Sequence, residues 1–441
     1  MKVSTAKYKI MVSANTPRKI LDEISSFSPI GLTTDLGKYL GVPLLHSRVN
    51  KETYREMCDK VQAKLSGWKR DQLSLAGKAM LIQASSSAVP IYTMMTTKIP
   101  NSVCAHIDKI QRSFLWGDSE VKKKVHLVNW RQVCLPKTMG GLGLKDMNQV
   151  NLSLLAKLGW RLIRENYSLW AKVLQGKYFH DKQFLTTDVK PYNSFTWKSI
   201  MKGCEVLKQG IKWRLGNGED IEFWNDIWLD NFILRELAIN LVPVEHLQWK
   251  VSEYIFDGKW KLNILRGLLP DHILASLEAI DLQVCCSWKD KVIWKLSSDG
   301  KFSTSSARSL IRGTPPSVDL SIFKKIWRIQ TLPRIKFFVW LAYLNKLLTN
   351  DLRWKRKMVD LPSCSLCSSL VEDVLHAVRD CSHVSQIWQK MVPSFMQSSF
   401  FSANLNDWFI LNLNYGVLFR DTIPWPTVFF LLGLEILEVE E

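Results

Sequence analysis

The sequence has no run of about 18 uncharged apolar residues, so a membrane-spanning helix is not expected. Its first residues lack the apolar segment of a secretion signal, which argues against export. The nine cysteines are an odd number, and a non-secreted chain rarely uses them as a disulfide framework. We therefore expect a nuclear or cytoplasmic protein that is not secreted and has no membrane partner. The sequence does not determine its oligomeric state.

Acidic residues are scarce relative to basic ones. The chain has 59 Lys+Arg against 41 Asp+Glu, which leaves a net charge of +18. Residues 1–200 contribute +17 and residues 301–400 contribute +9, whereas residues 201–300 contribute −3. Because two basic blocks flank a near-neutral middle, the pattern predicts RNA or DNA as a partner. The alternative is that these charges only solvate helix faces.

An Asp-Asp pair is absent as well. Nucleotidyl transfer needs neighbouring carboxylates to hold two metal ions, and the chain contains no Asp-Asp dipeptide. The glycine-rich segment 139–144 lacks the Lys-Ser/Thr of a phosphate loop and is predicted to be a tight turn. We therefore predict no catalytic residues. The basic N-terminal block has isolated aspartates with no obvious pairing, among them Asp59, Asp71, Asp108, Asp118 and Asp146.

Hydrophobic spacing predicts an α+β fold that is predominantly α-helical. Apolar steps of three and four residues predict helices over 54–68, 75–83, 103–114 and 152–162, the first two capped by Asn50 and Ser74. Alternation predicts a strand near residues 8–12 and a strand or hairpin over 35–43. The tryptophan-rich middle predicts a hairpin that turns at Asn217-Gly218. Further helices are predicted over 303–311 and 333–348.

The cysteine and histidine pattern near residue 370 points to a metal. Cys364, Cys367, His376 and Cys381 are spaced C-x2-C-x8-H-x4-C. Three thiolates and one imidazole suit a tetrahedral Zn²⁺ with no open position, so such a site is structural. The alternative is a pair of buried or reducible cysteines beside an incidental histidine. His383 is a spare imidazole that a complete set of four ligands does not need.

Several ordered motifs carry a family resemblance. They are DLGKYLGVPLL at 35–45, KLSGWKRDQLSLAGKAMLIQ at 64–83, FLWGD at 114–118, HLVNW at 126–130, LLAKLGWRL at 154–162, WRLGNG at 213–218, FWNDIWL at 223–229, and IWRIQTLPRIKFFVW at 326–340. Together with the Cys/His cluster, they resemble the C-terminal part of plant LINE-type (non-LTR) retrotransposon reverse transcriptases. The resemblance covers roughly residues 1–412, and its last part is similar to the reverse-transcriptase zinc-binding domain.

The resemblance implies a domain order and a truncation. It implies a remnant of the polymerase palm and primer grip over 1–48 and a basic helical thumb or connection over 49–175. A tryptophan-rich connector over 176–300 and a small helical zinc-binding domain over 301–395 follow, and residues 396–441 form a divergent tail. The family's catalytic Asp-Asp turn would precede this sequence. We therefore expect a reverse transcriptase fragment that lacks the catalytic palm.

Three functions follow from this interpretation. The preferred one is a retrotransposon-derived chain that binds structural zinc and nucleic acid without catalysis. The alternatives are an accessory part of an RNA-directed DNA polymerase that works with a separate palm, and a domesticated interaction protein. Basic residues of the thumb-like module and of the segment before the zinc site are the predicted phosphate contacts: Lys64, Lys69, Arg70, Lys78, Arg353, Lys355, Arg356 and Lys357.

Overall fold

The structure is a computed structural model that describes most of the chain. The described residues are 8–39, 41–44, 49–67, 72–119, 121, 123–179, 184–282, 288–313, 321–416, 418–419 and 422–438. Helices predominate and every strand is short, which confirms the predicted α+β, predominantly α-helical class. No helix within these ranges combines the length and the apolarity that crossing a membrane requires.

The α-helices are distributed along the whole chain. In chain order they are α1 (Arg18–Phe27), α2 (Arg55–Lys64), α3 (Leu75–Ala84), α4 (Ile91–Met94), α5 (Asn101–Trp116), α6 (Trp130–Val133), α7 (Met147–Arg164), α8 (Leu169–Tyr178), α9 (Phe195–Gly210), α10 (Leu262–Leu265), α11 (Asp271–Glu278), α12 (Thr304–Arg312), α13 (Ser321–Arg328), α14 (Pro333–Tyr343), α15 (Asn350–Lys355), α16 (Ser382–Met391), α17 (Ser394–Ser402), α18 (Leu405–Asn414) and α19 (Trp425–Glu438).

Among the described residues, each strand pairs with one other strand to form a two-stranded sheet. They are β1 (Lys9–Met11), β2 (Gly31–Thr33), β3 (Lys38–Tyr39), β4 (Val42–Pro43), β5 (Ile211–Arg214), β6 (Ile255–Phe256), β7 (Lys259–Trp260), β8 (Lys291–Trp294), β9 (Leu418–Phe419) and β10 (Ile423–Pro424). Strands β1 and β2 are parallel, and the other four pairs are antiparallel. The strand predicted near residues 8–12 and the hairpin predicted over 35–43 are both confirmed.

Short 3-10 turns and one π-helical turn complete the secondary structure. The 3-10 turns are Glu52–Tyr54, Ser86–Ala88, Lys137–Met139, Phe184–Thr186, Leu234–Leu237, Val244–Gln248 and Val251–Tyr254. The π-helical turn is His376–Asp380 and lies within the predicted metal cluster. Several of these short elements lie in the middle of the chain.

Helix starts follow the capping chemistry that the sequence indicated. The Ser74 hydroxyl accepts a hydrogen bond from the Gly77 amide at 3.2 Å and starts α3. The Asn50 side-chain oxygen, Oδ1, accepts from the Thr53 amide at 3.0 Å just before α2, at the 3-10 turn that leads into this helix. Helix α2 ends at Lys64 rather than continuing to residue 68, and Trp68 lies outside the described residues.

The chain folds into two compact units. One contains the described residues of 1–49, 91–99 and 148–314, and the other contains those of 50–90, 100–147 and 315–441. Each unit is therefore assembled from segments that are distant in sequence. The division into five consecutive domains stays a prediction.

The first unit has two hydrophobic cores. In one, Trp197 of α9 and Trp294 of β8 are fully buried, and Gly203 lets α9 approach α7 closely. A Cβ at Gly203 would lie 2.3 Å from the Leu155 carbonyl carbon, so only glycine permits this crossing. The other core lies in the tryptophan-rich middle, where the Trp224 indole donates to the Tyr254 hydroxyl at 2.8 Å.

The hairpin predicted at Asn217-Gly218 is wrong. Strand β5, which precedes that turn, pairs with β8, with Ile211 opposite Trp294 and Arg214 opposite Lys291. The buried Asp290 carboxylate holds the turn instead. It accepts hydrogen bonds from the amides of Gly216 at 2.6 Å, Gly218 at 3.1 Å and Asp220 at 2.9 Å. The middle region does contain a hairpin, which β6 and β7 form.

The second unit has one continuous core. Residues of α3, α5, α13, α14 and α16 through α19 contribute to it. The predicted tight turn over 139–144 packs inside this core, and the Trp340 indole donates to the Gly140 carbonyl at 2.8 Å. Helices α17 to α19 belong to the segment that we predicted as a divergent tail. Their buried aromatic residues pack against Trp388 at the end of the zinc-binding region.

Candidate metal centre

The four predicted ligands converge. The thiol sulfurs of Cys364, Cys367 and Cys381 and one ring nitrogen of His376 all lie within 4.8 Å of one another. The Cys367 Sγ to His376 Nε2 distance is 3.2 Å. A tetrahedral zinc with bonds of about 2.0–2.3 Å needs donor atoms roughly 3.5–3.8 Å apart. Small side-chain shifts therefore suffice to close the set around one ion.

A backbone turn brings the first two cysteines together. The Cys364 amide donates to the Ser369 carbonyl at 3.0 Å, and the Ser368 amide donates back to the Cys364 carbonyl at 3.2 Å. Ser368 adopts a left-handed φ of 55°, which reverses the chain there. The amides of Leu366 and Cys367 donate to the Cys364 sulfur. We call residues 364–369 the cysteine knuckle. Its fold directs both thiols to the same side, and its backbone amides favour the thiolate form.

A π-helical turn positions the other two ligands. The Asp373 carboxylate accepts from the His376 amide at 2.7 Å and starts the turn. The Cys381 amide then donates to the His376 carbonyl at 2.9 Å, closing a turn of five residues. Cys381 is the residue before α16 and is fully buried. The extra residue of a π-helical turn, relative to an α-helical one, sets the separation of the two ligands.

The electrostatic environment differs between the paired thiols. Burial raises the pKa of the Cys364 thiol to about 11, against the opposing effect of the two amides that contact its sulfur. The hydrogen bond from the Ser369 amide lowers the pKa of the Cys367 thiol below its ordinary value. Zinc binds thiolates, so it must displace a proton from Cys364 on binding. Metal affinity should therefore fall in acid.

Two polar residues outside the ligand set fix the knuckle to α15. The Glu372 carboxylate accepts from the Asn350 amide at 2.9 Å and from the Asn350 side chain at 3.1 Å. The Asn350 side chain also donates to the Ser363 carbonyl at 3.0 Å, next to Cys364. Spacing alone gave no reason to select Asn350 or Glu372. The sequence features that could have indicated these two residues are the polar Asn350 at the start of a helix and the acidic Glu372 directly before Asp373.

The π-helical turn is anchored to the aromatic core. The Trp388 indole donates to the Val378 carbonyl at 2.8 Å. The buried Arg379 guanidinium donates to the Asp380 carboxylate at 2.6 Å and to the carbonyls of Phe400 at 3.1 Å and Ala403 at 2.5 Å. The buried charge is therefore paired and hydrogen-bonded, as its burial requires. These contacts join the two C-terminal ligands to α17.

His383 lies outside the ligand cluster. Its side chain is exposed, and its Nδ1 lies 3.4 Å from the Ser382 hydroxyl. Cys58, Cys104, Cys134 and Cys204 are buried thiols that are not part of the cluster. Burial raises the pKa of Cys204 to about 11, so this thiol is neutral and packs as a small apolar group.

The predicted phosphate contacts have mixed environments. Lys64 is exposed at the last residue of α2, whereas Lys78 is half-buried and packs against Gly117. Lys69 and Arg70 lie outside the described residues. These four positions, like the four described next, stay predictions.

The basic segment before the zinc site is partly engaged by the protein itself. Lys355 pairs with Asp351 at 2.6 Å, and the Arg356 guanidinium donates to the His126 carbonyl at 3.3 Å. Arg353 is half-buried. Lys357 is exposed and has a φ of 57°. Of these four, Lys357 is the most accessible to a phosphate.

Two of the ordered motifs meet through a polar contact. The Asp118 carboxylate of FLWGD lies 3.1 Å from Nε2 of His126, the first residue of HLVNW, and accepts from the Lys124 amide at 2.9 Å. The Trp116 ring stacks on the His126 ring with centroids 6.3 Å apart. The two motifs therefore pack against each other within the second unit.

Comparison with known proteins adds independent findings. Residues 302–388 match the family described as zinc-binding in reverse transcriptase, a span that contains all four ligands. A protein of Arabidopsis thaliana that is provisionally named a ribonuclease H protein is 35% identical over 396 residues, which cover 88% of this chain. The chain spans 63% of the length of that relative. An uncharacterized mitochondrial protein of the same plant is 31% identical over 143 residues, which are 32% of this chain and 93% of that protein.

Proposed function

Since this chain belongs to the retrotransposon-related proteins and contains a reverse-transcriptase zinc-binding domain, we propose that it is the zinc-binding, nucleic-acid-holding part of a plant LINE-type reverse transcriptase. It binds one structural zinc ion through Cys364, Cys367, His376 and Cys381. It binds RNA or DNA through its basic surfaces, and it acts in the nucleus or the cytoplasm. Its own residues do not catalyse polymerisation.

One observation carries the metal assignment. Three sulfurs and one imidazole nitrogen lie within 4.8 Å of one another. A complete set of four protein ligands leaves no position for substrate, so the ion would hold structure rather than activate water. When bound, zinc would link the cysteine knuckle to the π-helical turn.

The proposed absence of polymerase chemistry rests on the distribution of acids. The sequence offers no adjacent pair of aspartates, and Asp108 and Asp146 are half-buried within the helical part of the second unit. Burial and the nearby Asp146 raise the pKa of Asp108 to about 7, so this carboxyl is partly protonated near neutrality. A protonated acid is a poor ligand for Mg²⁺.

Nucleic-acid binding follows from the charge. The net +18 would favour any polyanion, and phosphate neutralisation gives affinity that falls with salt and depends little on sequence. The proposed partner is therefore tested with both RNA and DNA of unrelated sequence.

The test combines metal analysis with a binding assay on the full chain. We expect about one zinc per chain by elemental analysis, and salt-sensitive binding of a labelled 20-nucleotide RNA and DNA by fluorescence anisotropy. Primer extension with Mg²⁺ or Mn²⁺ should give no product. Extension that disappears when one of the chain's own aspartates is replaced by Asn would contradict the proposal.

A further inference from the structure

Two segments of the second unit contain bases and no acids. Residues 121–145 and residues 320–350 each contain six Lys or Arg and no Asp or Glu. Segments of this length without any acid are unusual in this chain, which has 41 acidic residues beside its 59 basic ones. Any surface that both segments share has no built-in neutralising charge.

The fold packs these two segments against each other. The Trp340 indole of α14 donates to the Gly140 carbonyl at 2.8 Å. A Cβ at Gly140 would lie 2.7 Å from the Phe323 ring of α13, so the turn sits directly on that ring. The basic 3-10 turn Lys137–Met139 therefore lies beside α13 and α14, and the like charges of both segments are held close together.

Two lysines from the two segments meet at Trp327. The Lys137 ammonium lies over the Trp327 ring, 4.8 Å from its centroid. The Lys336 ammonium donates to the Trp327 carbonyl at 3.1 Å. Burial and the charge of Lys137 lower the pKa of Lys336, as expected for two cations that approach each other without an acid between them. An incoming anion would relieve this repulsion.

Helix α13 adds two exposed cations on the same side. Its apolar residues Ile322, Phe323 and Ile326 are buried, while Lys324 and Arg328 are exposed. Lys324 is three residues before Trp327 and four before Arg328, so helical geometry places these side chains next to one another. We call Lys137, Lys324, Arg328 and Lys336 the Trp327 face. None of these four has an ion pair with an acid in the part of the chain that the structure describes.

We propose that the Trp327 face is a binding surface for the phosphate backbone of nucleic acid. Charge complementarity supports this assignment: Lys137, Lys324 and Arg328 are exposed, Lys336 is half-buried, and these cations have no ion pair with an acid among the described residues. The Trp327 ring and carbonyl hold two of these ammonium groups in place, so less side-chain freedom is lost on binding. The inference rests on the proposed function, because it assigns a location to the nucleic-acid binding proposed there.

The experiment compares two charge reversals of equal size in the full chain. Lys137→Glu with Lys336→Glu removes two cations of the Trp327 face. Lys172→Glu with Lys390→Glu changes the net charge by the same amount at exposed residues of α8 and α16 that lack a described ion pair. Anisotropy with a labelled 20-nucleotide RNA is measured from 50 to 200 mM salt. Circular dichroism and zinc content check the fold of each variant.

We expect the first variant to bind at least tenfold more weakly at 100 mM salt, with a log–log salt slope smaller by about two. The control pair should stay within about threefold of the unaltered chain, since neither lysine belongs to the Trp327 face and exposed single charges are largely screened. A second variant, Lys324→Gln with Arg328→Gln, alters exposed side chains only and should weaken binding about three- to tenfold. If the Lys137→Glu, Lys336→Glu variant does not fold, this second variant tests the Trp327 face in its place.

The unfavourable outcomes are distinct. If the unaltered chain binds no RNA or DNA, the proposed function fails and the inference fails with it. If the unaltered chain binds but the Trp327-face and control variants weaken equally, or neither weakens, the inference alone is overturned. Displacement of the RNA by polyglutamate at equal charge concentration would show an acidic-peptide surface and would also overturn it.

Discussion

The zinc-binding region and the tryptophan-rich middle reach stability by different means. In the middle region, Phe223, Trp224 and Tyr254 are buried together, with the Phe223 and Tyr254 rings 4.2 Å apart. Between residues 361 and 375, by contrast, only Cys364 and Val374 are buried. Aromatic packing stabilises the first region, whereas we propose that a bound metal holds the turns of the second. Similar lengths of irregular chain can therefore be ordered by side chains of very different chemistry.

The comparison is tested most strongly by removing one ligand. Cys381→Ser should lose the metal and loosen residues 361–375, because a hydroxyl is a poor zinc ligand and only Cys364 and Val374 are buried in this segment. Zinc analysis and hydrogen exchange of the amides in this segment measure the two effects. The middle region should keep its protection.

The matched control is Cys204→Ser in α9. Cys204 is just as buried, but it is not part of the cluster. Its replacement should cost about 1–2 kcal/mol for burying a hydroxyl and leave the zinc content unchanged. Loss of zinc in the control, or retention of a full equivalent in Cys381→Ser, would refute the ligand assignment.

Replacing one tryptophan in each region separates packing from metal binding. Trp224→Ala and Trp388→Ala each remove a fully buried indole and should cost about 3–5 kcal/mol. Only Trp388→Ala should also weaken zinc binding, since Trp388 bonds the Val378 carbonyl between His376 and Cys381. Denaturant unfolding and competition with a zinc chelator measure the two effects. Equal zinc affinity in both variants would contradict the coupling between the aromatic core and the metal.

A smaller effect is expected where one carboxylate orders a loop of the first unit. Asp290→Asn keeps the size of the side chain but offers the amides of Gly216, Gly218 and Asp220 only one neutral acceptor oxygen. We expect a loss of about 1–3 kcal/mol in urea unfolding. Asp299→Asn is the control, because that carboxylate is exposed and accepts from the Lys301 amide only locally. If both variants lower the free energy of unfolding equally, the three hydrogen bonds to the Asp290 carboxylate do not stabilise the loop.

The smallest effect concerns pH. The pKa of Asp108 is raised to about 7 in the folded chain, mainly by burial, and is ordinary in the unfolded chain. The folded state therefore binds the proton more tightly, and its stability should decrease as pH rises from about 4 to 7. Asp108→Asn should remove this penalty and stabilise the second unit by about 1–2 kcal/mol at pH 8, with little effect at pH 4.

Thermal unfolding at both pH values measures this difference. Asp59→Asn, at an exposed residue of α2, should have no pH-dependent effect and serves as the control. A Tm of Asp108→Asn that is raised equally at both pH values would show that the change acts through packing and not through ionisation.

The sequence predicted local features well and distant pairing poorly. The four predicted zinc ligands lie within 18 residues, so a short turn and one helical turn suffice to bring them together. The start of α3 at Ser74 and of α14 at Pro333 likewise depend on adjacent residues. The partner of β5 lies almost 80 residues away, and the Asn217-Gly218 signal favoured a local hairpin that the Asp290 carboxylate prevents.

Two further features could not be predicted from the sequence, because they also depend on residues that are far apart in the chain. The segment predicted as a divergent tail contains Trp408 and Phe429, which contact Trp388 and complete the core beside the zinc site. The Trp327 face joins residues almost 200 positions apart, from Lys137 to Lys336. No spacing rule connects such residues, because their proximity is set by helix packing and not by local geometry.

The most direct test of the account is zinc X-ray absorption on the purified full chain, together with its metal content. The account predicts one zinc per chain, with three sulfur ligands at about 2.3 Å, one nitrogen at about 2.0 Å and no bound water. Less than about half an equivalent of zinc after purification under reducing, zinc-replete conditions, or a spectrum that requires oxygen ligands, would contradict it.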